Sequence, residues 1–178
     1  MIKIKNNFLN QKTFNEIKKV MLSPHFPWYY NDTKIDEQNK KDLNNYQLTH
    51  TFFVNNSVNS GAYNLIEPVL QKLKVKELIR IKANLVPRTS KIHRFQKHID
   101  QEFNCKGAIL YINSNNGCTI FEKGRKDGSS KHVTSKENRI VFFNANKKHQ
   151  GTTCTNEKIR VLINFNYRWT WIGKKTNI

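Results

Sequence analysis

His98 and Asp100 stand two apart in the stretch KHIDQEF. If that stretch runs as a strand, alternation puts both side chains on one face. An imidazole beside a carboxylate supplies two of the three facial ligands that leave half of an iron octahedron open. An H-x-D tripeptide arises often by chance, so a third, neutral nitrogen donor must come from elsewhere. His149 in NANKKHQGTT, 49 residues beyond Asp100 and just after the apolar run NRIVFFN, is the candidate. Eleven positions further, KIRVLINFN carries Arg160 into a run of Val, Leu, Ile and Phe. An unpaired buried cation is costly, and the guanidinium fork matches a carboxylate. A five-carbon diacid, chelating the metal at one end and pairing with Arg160 at the other, satisfies both requirements. His25, His50, His93 and His132 read as surface or hydrogen-bonded groups, His93 being the nearest alternative ligand because it lies five residues before His98.

In this order of residues the sequence resembles the iron and 2-oxoglutarate dioxygenase superfamily, especially its prolyl 4-hydroxylase-like branch and the small oxygenases encoded by phages. The matching series is His98-x-Asp100, then ILYIN with Tyr111 and Asn113, then Gly117 and Phe121 as G-x-x-x-F, then NRIVFF, His149 and Arg160. It covers residues 78–167. The resemblance implies a double-stranded β-helix (jelly-roll, cupin-like) core that holds Fe(II) on His98, Asp100 and His149 and uses 2-oxoglutarate and O2. It places the distal carboxylate of 2-oxoglutarate on Arg160, with Tyr111 helping to hold it. Asn164, four beyond Arg160 on the same strand face, points toward that pocket, and Asn84 is a further cosubstrate candidate. Where some relatives carry a cosubstrate-binding tyrosine before H-x-D, this chain reads ANLVPRT, with no tyrosine.

The elements that must position these residues are legible as two kinds. Phe8, Phe14, Ile17, Val20 and Met21 recur at helical spacing, predicting an amphipathic helix from about Gln11 that ends at SPHFP. Residues 62–74 predict a second helix with Leu65, Val69, Leu70 and Leu73 on one side and Pro68 in its first turn or at a kink. Between them THTFFVN reads as a strand. Residues 25–41 read as a loop or lid whose aromatics Phe26, Trp28, Tyr29 and Tyr30 either grip a substrate or pin the loop to the core. From Leu78 onward come LIRIKANLV, FQKHID, GAILYIN, GCTIFEKG, HVTS, NRIVFFN and KIRVLINFNY, short β-rich runs separated by turn residues. That pattern favours an antiparallel sandwich or barrel over a βαβ sheet. The expected class is therefore mainly β with N-terminal helices (α+β). Within one domain spanning 1–178, residues 1–77 would be helical support and a candidate lid, 78–167 the jelly-roll core, and 168–178 a tail.

With 178 residues the chain has the length of one domain. No apolar run approaches the roughly 20 residues of a membrane span, and the start MIKIKNNFLNQ has no hydrophobic leader, so a cytoplasmic location is expected, in the host cell if the source is viral. Cys105, Cys118 and Cys154 form no C-x-x-C pair and are read as reduced structural thiols. No G-x-G-x-x-G, P-loop or G-x-S-x-G occurs.

A net charge of +18 favours an acidic protein, a nucleic acid or a phosphorylated metabolite as partner, although the lysines are scattered along the whole chain. Selectivity is expected around Trp28, Tyr29 and Tyr30, in the loop between Arg88 and Gln96, and in the tail RWTWIG. Two non-catalytic readings compete: a basic nucleic-acid-binding module in which those aromatics stack on bases, and a jelly-roll ligand binder. Neither accounts for His98, Asp100, His149 and Arg160 together.

Overall fold

A computed structural model describes residues 2–32, 42–122 and 129–169. The first helix, α1 (Gln11–Met21), is capped by Asn10, whose side chain accepts from the Thr13 N–H at 2.9 Å. Phe14, Ile17 and Met21 form its buried stripe, whereas Val20 faces solvent. Residues Tyr63–Ile66 make a 3-10 turn that leads into α2 (Glu67–Leu73), with Pro68 in the first turn, where a missing N–H costs nothing. The helix ends at Lys74, a left-handed residue with φ 53°.

Eleven strands follow the chain: β1 (Lys3–Lys5), β2 (Tyr29–Asn31), β3 (Gln47–Val54), β4 (Ser57–Val58), β5 (Glu77–Pro87), β6 (Lys106–Tyr111), β7 (Cys118–Phe121), β8 (Lys131–Thr134), β9 (Ile140–Asn144), β10 (His149–Gly151) and β11 (Ile159–Arg168). The large sheet has the order β1-β9-β6-β11-β5-β3-β2, with β4 on β3, and the small sheet the order β10-β7-β8. Every pairing is antiparallel.

Alternation on the central strands divides the interior in two. Val161, Ile163, Phe165 and Tyr167 of β11, Ala108 and Leu110 of β6, and Ile81 and Ala83 of β5 pack against the helix layer with Phe14, Ile17 and Val69. The intervening residues face the small sheet, where Ile109, Tyr111, Phe121, Val133, Val141, Phe143 and Leu162 form a second core. Helices, large sheet and small sheet make three layers, with a double-stranded β-helix as the core.

Three expectations need correction. FQKHID is not a strand: His98 makes only an isolated bridge to His149, because Asp100 must leave the ladder to turn inward. Residues 29–31, expected in a loop, form an edge strand on β3. The lysine-rich start, expected only as part of a helical support, adds β1 to the outer edge of β9, where exposed lysines suit an edge. Of the expected lid, residues 33–41 lie outside the described residues, as does the tail beyond Trp169. Phe26 is buried, and Trp28 packs on the helix-side core while its indole N–H donates to the Met21 carbonyl at 3.3 Å. These two aromatics pin the segment, while Tyr29 and Tyr30 remain exposed. No described helix is long and apolar enough to cross a membrane.

One glycine links this packing to the site. A Cβ on Gly107 would lie 2.6 Å from the ring of Phe143, its cross-strand partner. That ring in turn lies 5.0 Å from those of Phe121 and His149. Gly107→Ala should lower stability by about 1–3 kcal/mol as the ring is forced aside. Urea denaturation at neutral pH measures the loss.

Candidate metal centre and its pocket

Asp100 begins the site. Its backbone N–H donates to the Ala145 carbonyl at 2.8 Å, and its side chain, 2% exposed, enters the space between the two sheets. A carboxylate so placed must satisfy both oxygens. The Asn164 amide donates to Oδ1 at 3.0 Å and Oδ2 at 2.9 Å, Asn166 donates to Oδ2 at 3.3 Å, and an Arg80 guanidinium nitrogen lies 3.2 Å from Oδ1. Burial pushes the Asp100 pKa up, but the charges of His149 and Arg80, the Asn164 hydrogen bond and His98 outweigh it and hold the carboxyl below its ordinary value.

The two histidines face this carboxylate from one side. His98 and His149 pair backbone to backbone, each N–H donating to the other's carbonyl at 2.9 Å. His149 Nδ1 lies 2.9 Å from the Lys147 carbonyl and His98 Nδ1 lies 3.4 Å from the Gln96 carbonyl. A carbonyl only accepts, so in both rings Nδ1 is the donor, which in a neutral imidazole leaves the Nε2 lone pair for a metal. Each Nε2 stands 3.9 Å from an Asp100 oxygen, and the three ligand atoms all lie within 4.8 Å of one another. Phe121 stacks on the His149 ring at 5.5 Å and fixes its plane. Burial, then the neighbouring His149, push the His98 pKa down to about 4 against the opposing pull of Asp100, so the imidazole is neutral near pH 7. Two imidazoles and one carboxylate are a donor set that fits a divalent metal with open positions. Among the described residues this is the one such cluster. The alternative ligand His93 is taken up elsewhere, its Nε2 lying 3.1 Å from Asp42.

The triad opens into a cavity of about 270 Å³ whose far end is Arg160. This guanidinium is 2% exposed, and burial lowers its pKa from the usual value. Its Nε donates to Ser135 Oγ at 2.8 Å, one Nη to Thr119 Oγ1 at 3.0 Å, and the other to the Thr152 carbonyl at 3.4 Å. All three acceptors are neutral, and no described carboxylate pairs with it. Gly117 gives Arg160 its path, since a Cβ there would stand 2.7 Å from Arg160 Cδ. The G-x-x-x-F spacing thus serves both ends of the pocket, Gly117 beneath Arg160 and Phe121 against His149.

Tyr111 lies beside Arg160, with the guanidinium 5.7 Å from its ring centre. Its hydroxyl donates to Thr119 Oγ1 at 2.8 Å, so that Thr119 accepts from both groups and itself lines the cavity. Asn164 and Asn84 also line the cavity, but the Asn164 amide nitrogen is engaged by Asp100. The sequence reading did not include Arg80, Asn166, Thr119, Ser135 or Lys82. Arg80, Lys82 and Asn84 alternate on one face of β5, as Arg160, Asn164 and Asn166 do on β11. That period of two is the signal that was available. Thr119 and Ser135 carry no comparable signal, because short hydroxyl side chains occur on any surface.

No family model and no curated protein matches the chain in sequence. Solved structures do match in fold. A prolyl-4-hydroxylase from Pseudomonas putida superposes with TM-score 0.63 at 13% identity over 94% of this chain and 92% of that one. A 2OG-Fe(II) oxygenase-family oxidoreductase from Burkholderia pseudomallei gives 0.69 at 10% identity over 95% and 85%. The non-haem alpha-ketoglutarate-dependent epimerase SnoN of nogalamycin biosynthesis gives 0.65 at 11% over 94% and 78%. The chain therefore has the double-stranded β-helix fold seen in these 2-oxoglutarate oxygenases.

Two outcomes follow from the geometry. Asn164→Ala, which removes the donor shared by both Asp100 oxygens, should weaken Mn(II) binding by about 10–100-fold in calorimetry while the circular dichroism spectrum is kept. The unfolded chain takes up a proton on His98 near pH 6.5 and the folded one only near pH 4, so the metal-free protein should lose stability as pH falls through that window. The His98 share of this loss is the part absent from His98→Ala when urea midpoints at pH 7 and pH 5 are compared.

Proposed function

We propose that the chain is a non-haem Fe(II) oxygenase that couples oxidative decarboxylation of 2-oxoglutarate to oxidation, most simply hydroxylation, of a second substrate. The observation that carries this reading is the pairing, within one cavity, of a two-histidine, one-carboxylate cluster with a buried guanidinium that lacks a carboxylate partner among the described residues. His98, Asp100 and His149 are the metal ligands. Fe(II) held there, with 2-oxoglutarate and O2, supplies the oxidising power, the cosubstrate leaving as succinate and CO2 while one oxygen atom goes to the substrate.

The remaining work belongs to side chains of this chain. Arg160 takes the far carboxylate of 2-oxoglutarate, with Thr119 and Tyr111 beside it, and so orients the chelating end toward the triad. Ile109, Leu162, Val86 and Phe95 wall the space between and exclude water from it. Asn164, Asn166 and Arg80 hold Asp100 so that its oxygens face the two Nε2 atoms. Asn84 lines the cosubstrate space on β5 opposite Leu162.

Anaerobic addition of Fe(II) and 2-oxoglutarate should produce the weak visible charge-transfer band of the chelate. Arg160→Met should raise the 2-oxoglutarate concentration needed for half of that band by about 10-fold or more, the loss of one charge-assisted contact. Asp100→Ala should remove the band and all succinate formation. A folded, iron-binding wild-type protein that gives no band refutes the reading.

A further inference from the structure

The pocket face of β5 changes character along its length. Val86, opposite Arg160 on β11, is apolar; Asn84 follows; then Lys82 and Arg80 present two cations in succession. Lys82 pairs across β11 with Asn164, the residue that holds Asp100, and across β3 with Thr51. Four residues of strand separate Lys82 from Val86, roughly 13 Å of backbone. Lys82 thus stands at the metal end of the cavity, and Arg160 at the other.

Of the two cations at this end, Arg80 shares Asp100 with other donors, and Lys82 has no hydrogen bond or ion pair among the described residues. Its charged neighbours are Arg80, which repels it, and Asp100, which is already engaged by Asn164, Asn166 and Arg80. The Arg80 Nε is buried with no hydrogen-bond partner. Two like charges side by side in a partly closed wall, one without a partner and the other with a buried unpaired Nε, are relieved when an anion joins them. A diacid anchored on Arg160 does not need this end for its far carboxylate, and Gln47 continues the wall outward from it on the next strand.

Resting on the oxygenase reading, we propose that Lys82, with Arg80 beside it, forms an anion subsite for the second substrate, which therefore carries a carboxylate or phosphoryl group close to the carbon that is oxidised. The guanidinium fork and the ammonium would share this group, placing the rest of the substrate over the open side of the triad. A substrate without such a group would cover Lys82 and the Arg80 Nε while leaving them unpaired, a penalty that selects against neutral competitors.

The test uses full-length protein loaded with Mn(II) in place of Fe(II) and saturated with 2-oxoglutarate. Two probes are added: inorganic phosphate, followed by its phosphorus resonance, and acetate, followed by its carboxyl carbon. Paramagnetic relaxation of a bound anion reports its closeness to the metal. A saturable enhancement is expected that falls by about 10-fold or more in Lys82→Met and returns in Lys82→Arg. A stronger effect for phosphate identifies a phosphoryl group, and a stronger effect for acetate a carboxylate. Relaxation unchanged in Lys82→Met overturns the proposal, since the anion then sits on the metal or elsewhere. No enhancement for either probe in wild type also overturns it. So does a Lys82→Met protein whose only defect is weaker 2-oxoglutarate binding, because Lys82 would then serve the cosubstrate. Bound Mn(II) and 2-oxoglutarate are quantified in the same samples. Failure to load 2-oxoglutarate strikes the oxygenase reading, while a loaded protein indifferent to both anions strikes the subsite alone.

Discussion

A carboxylate taken out of water has to be met by donors on both oxygens, and Asp100 is met by three side chains from two neighbouring strands. Asn164 and Asn166 come from β11 and Arg80 from β5, all on the face opposite the helix layer. The other face of the same strands carries Ile163, Phe165, Tyr167, Ile81 and Ala83, the core against α1 and α2. A one-residue slip of β11 would exchange these sets, burying amides among aliphatic side chains and presenting Ile163 and Phe165 to Asp100. The register that builds the core is therefore the register that builds the metal centre. The desolvation cost of an unpartnered carboxylate makes any other arrangement unfavourable.

From that point the pocket acquires direction. The Arg160 end is neutral apart from the guanidinium itself, which hydroxyls and one carbonyl surround; the Asp100 end holds Arg80 and Lys82. The small sheet closes one side through Phe121, which stacks on His149, and Thr119, which accepts from both Arg160 and Tyr111. Thus β7, four residues long, touches both ends of the cavity. The geometry of the G-x-x-x-F spacing follows from this, with a residue lacking Cβ beneath Arg160 and an aromatic ring behind a histidine.

Among the described residues the helix layer contributes no pocket side chain, yet it packs against the sheet that carries most of them. Phe14, Ile17 and Met21 of α1 are each at most 1% exposed. The first 54 residues also supply β1, β2 and β3 to the large sheet, so the N-terminal segment is part of the β-structure as well as its support. Tyr29 and Tyr30 are exposed on the β2 edge strand beside β3, whose Gln47 lines the cavity.

What the amino-acid sequence determined by itself was whatever rests on residue type and short spacing. Short β-branched and aromatic runs bounded by turn residues announced β3, β5, β6, β7, β8, β9 and β11, because side chains of that kind fit the buried faces of pleated strands. Helical spacing of Phe14, Ile17 and Met21 announced α1. His98, Asp100, His149 and Arg160 stood out because ionisable groups in apolar surroundings require partners, and their order along the chain resembled a known series. Other features depended on pairing between distant segments. That His98 would sit in an isolated bridge and not in a strand, that Lys3–Lys5 would find the edge of β9, and that Arg80 and Asn166 would converge on Asp100 follow from the register of segments as far apart in sequence as Lys3 and Phe142. Only the folded chain decides which side chains meet across a sheet. The hydrogen bonds that fix Asp100 and the empty reach of Lys82 were therefore settled by tertiary structure, since the cost of a buried charge depends on everything packed around it and not on its neighbours in the chain.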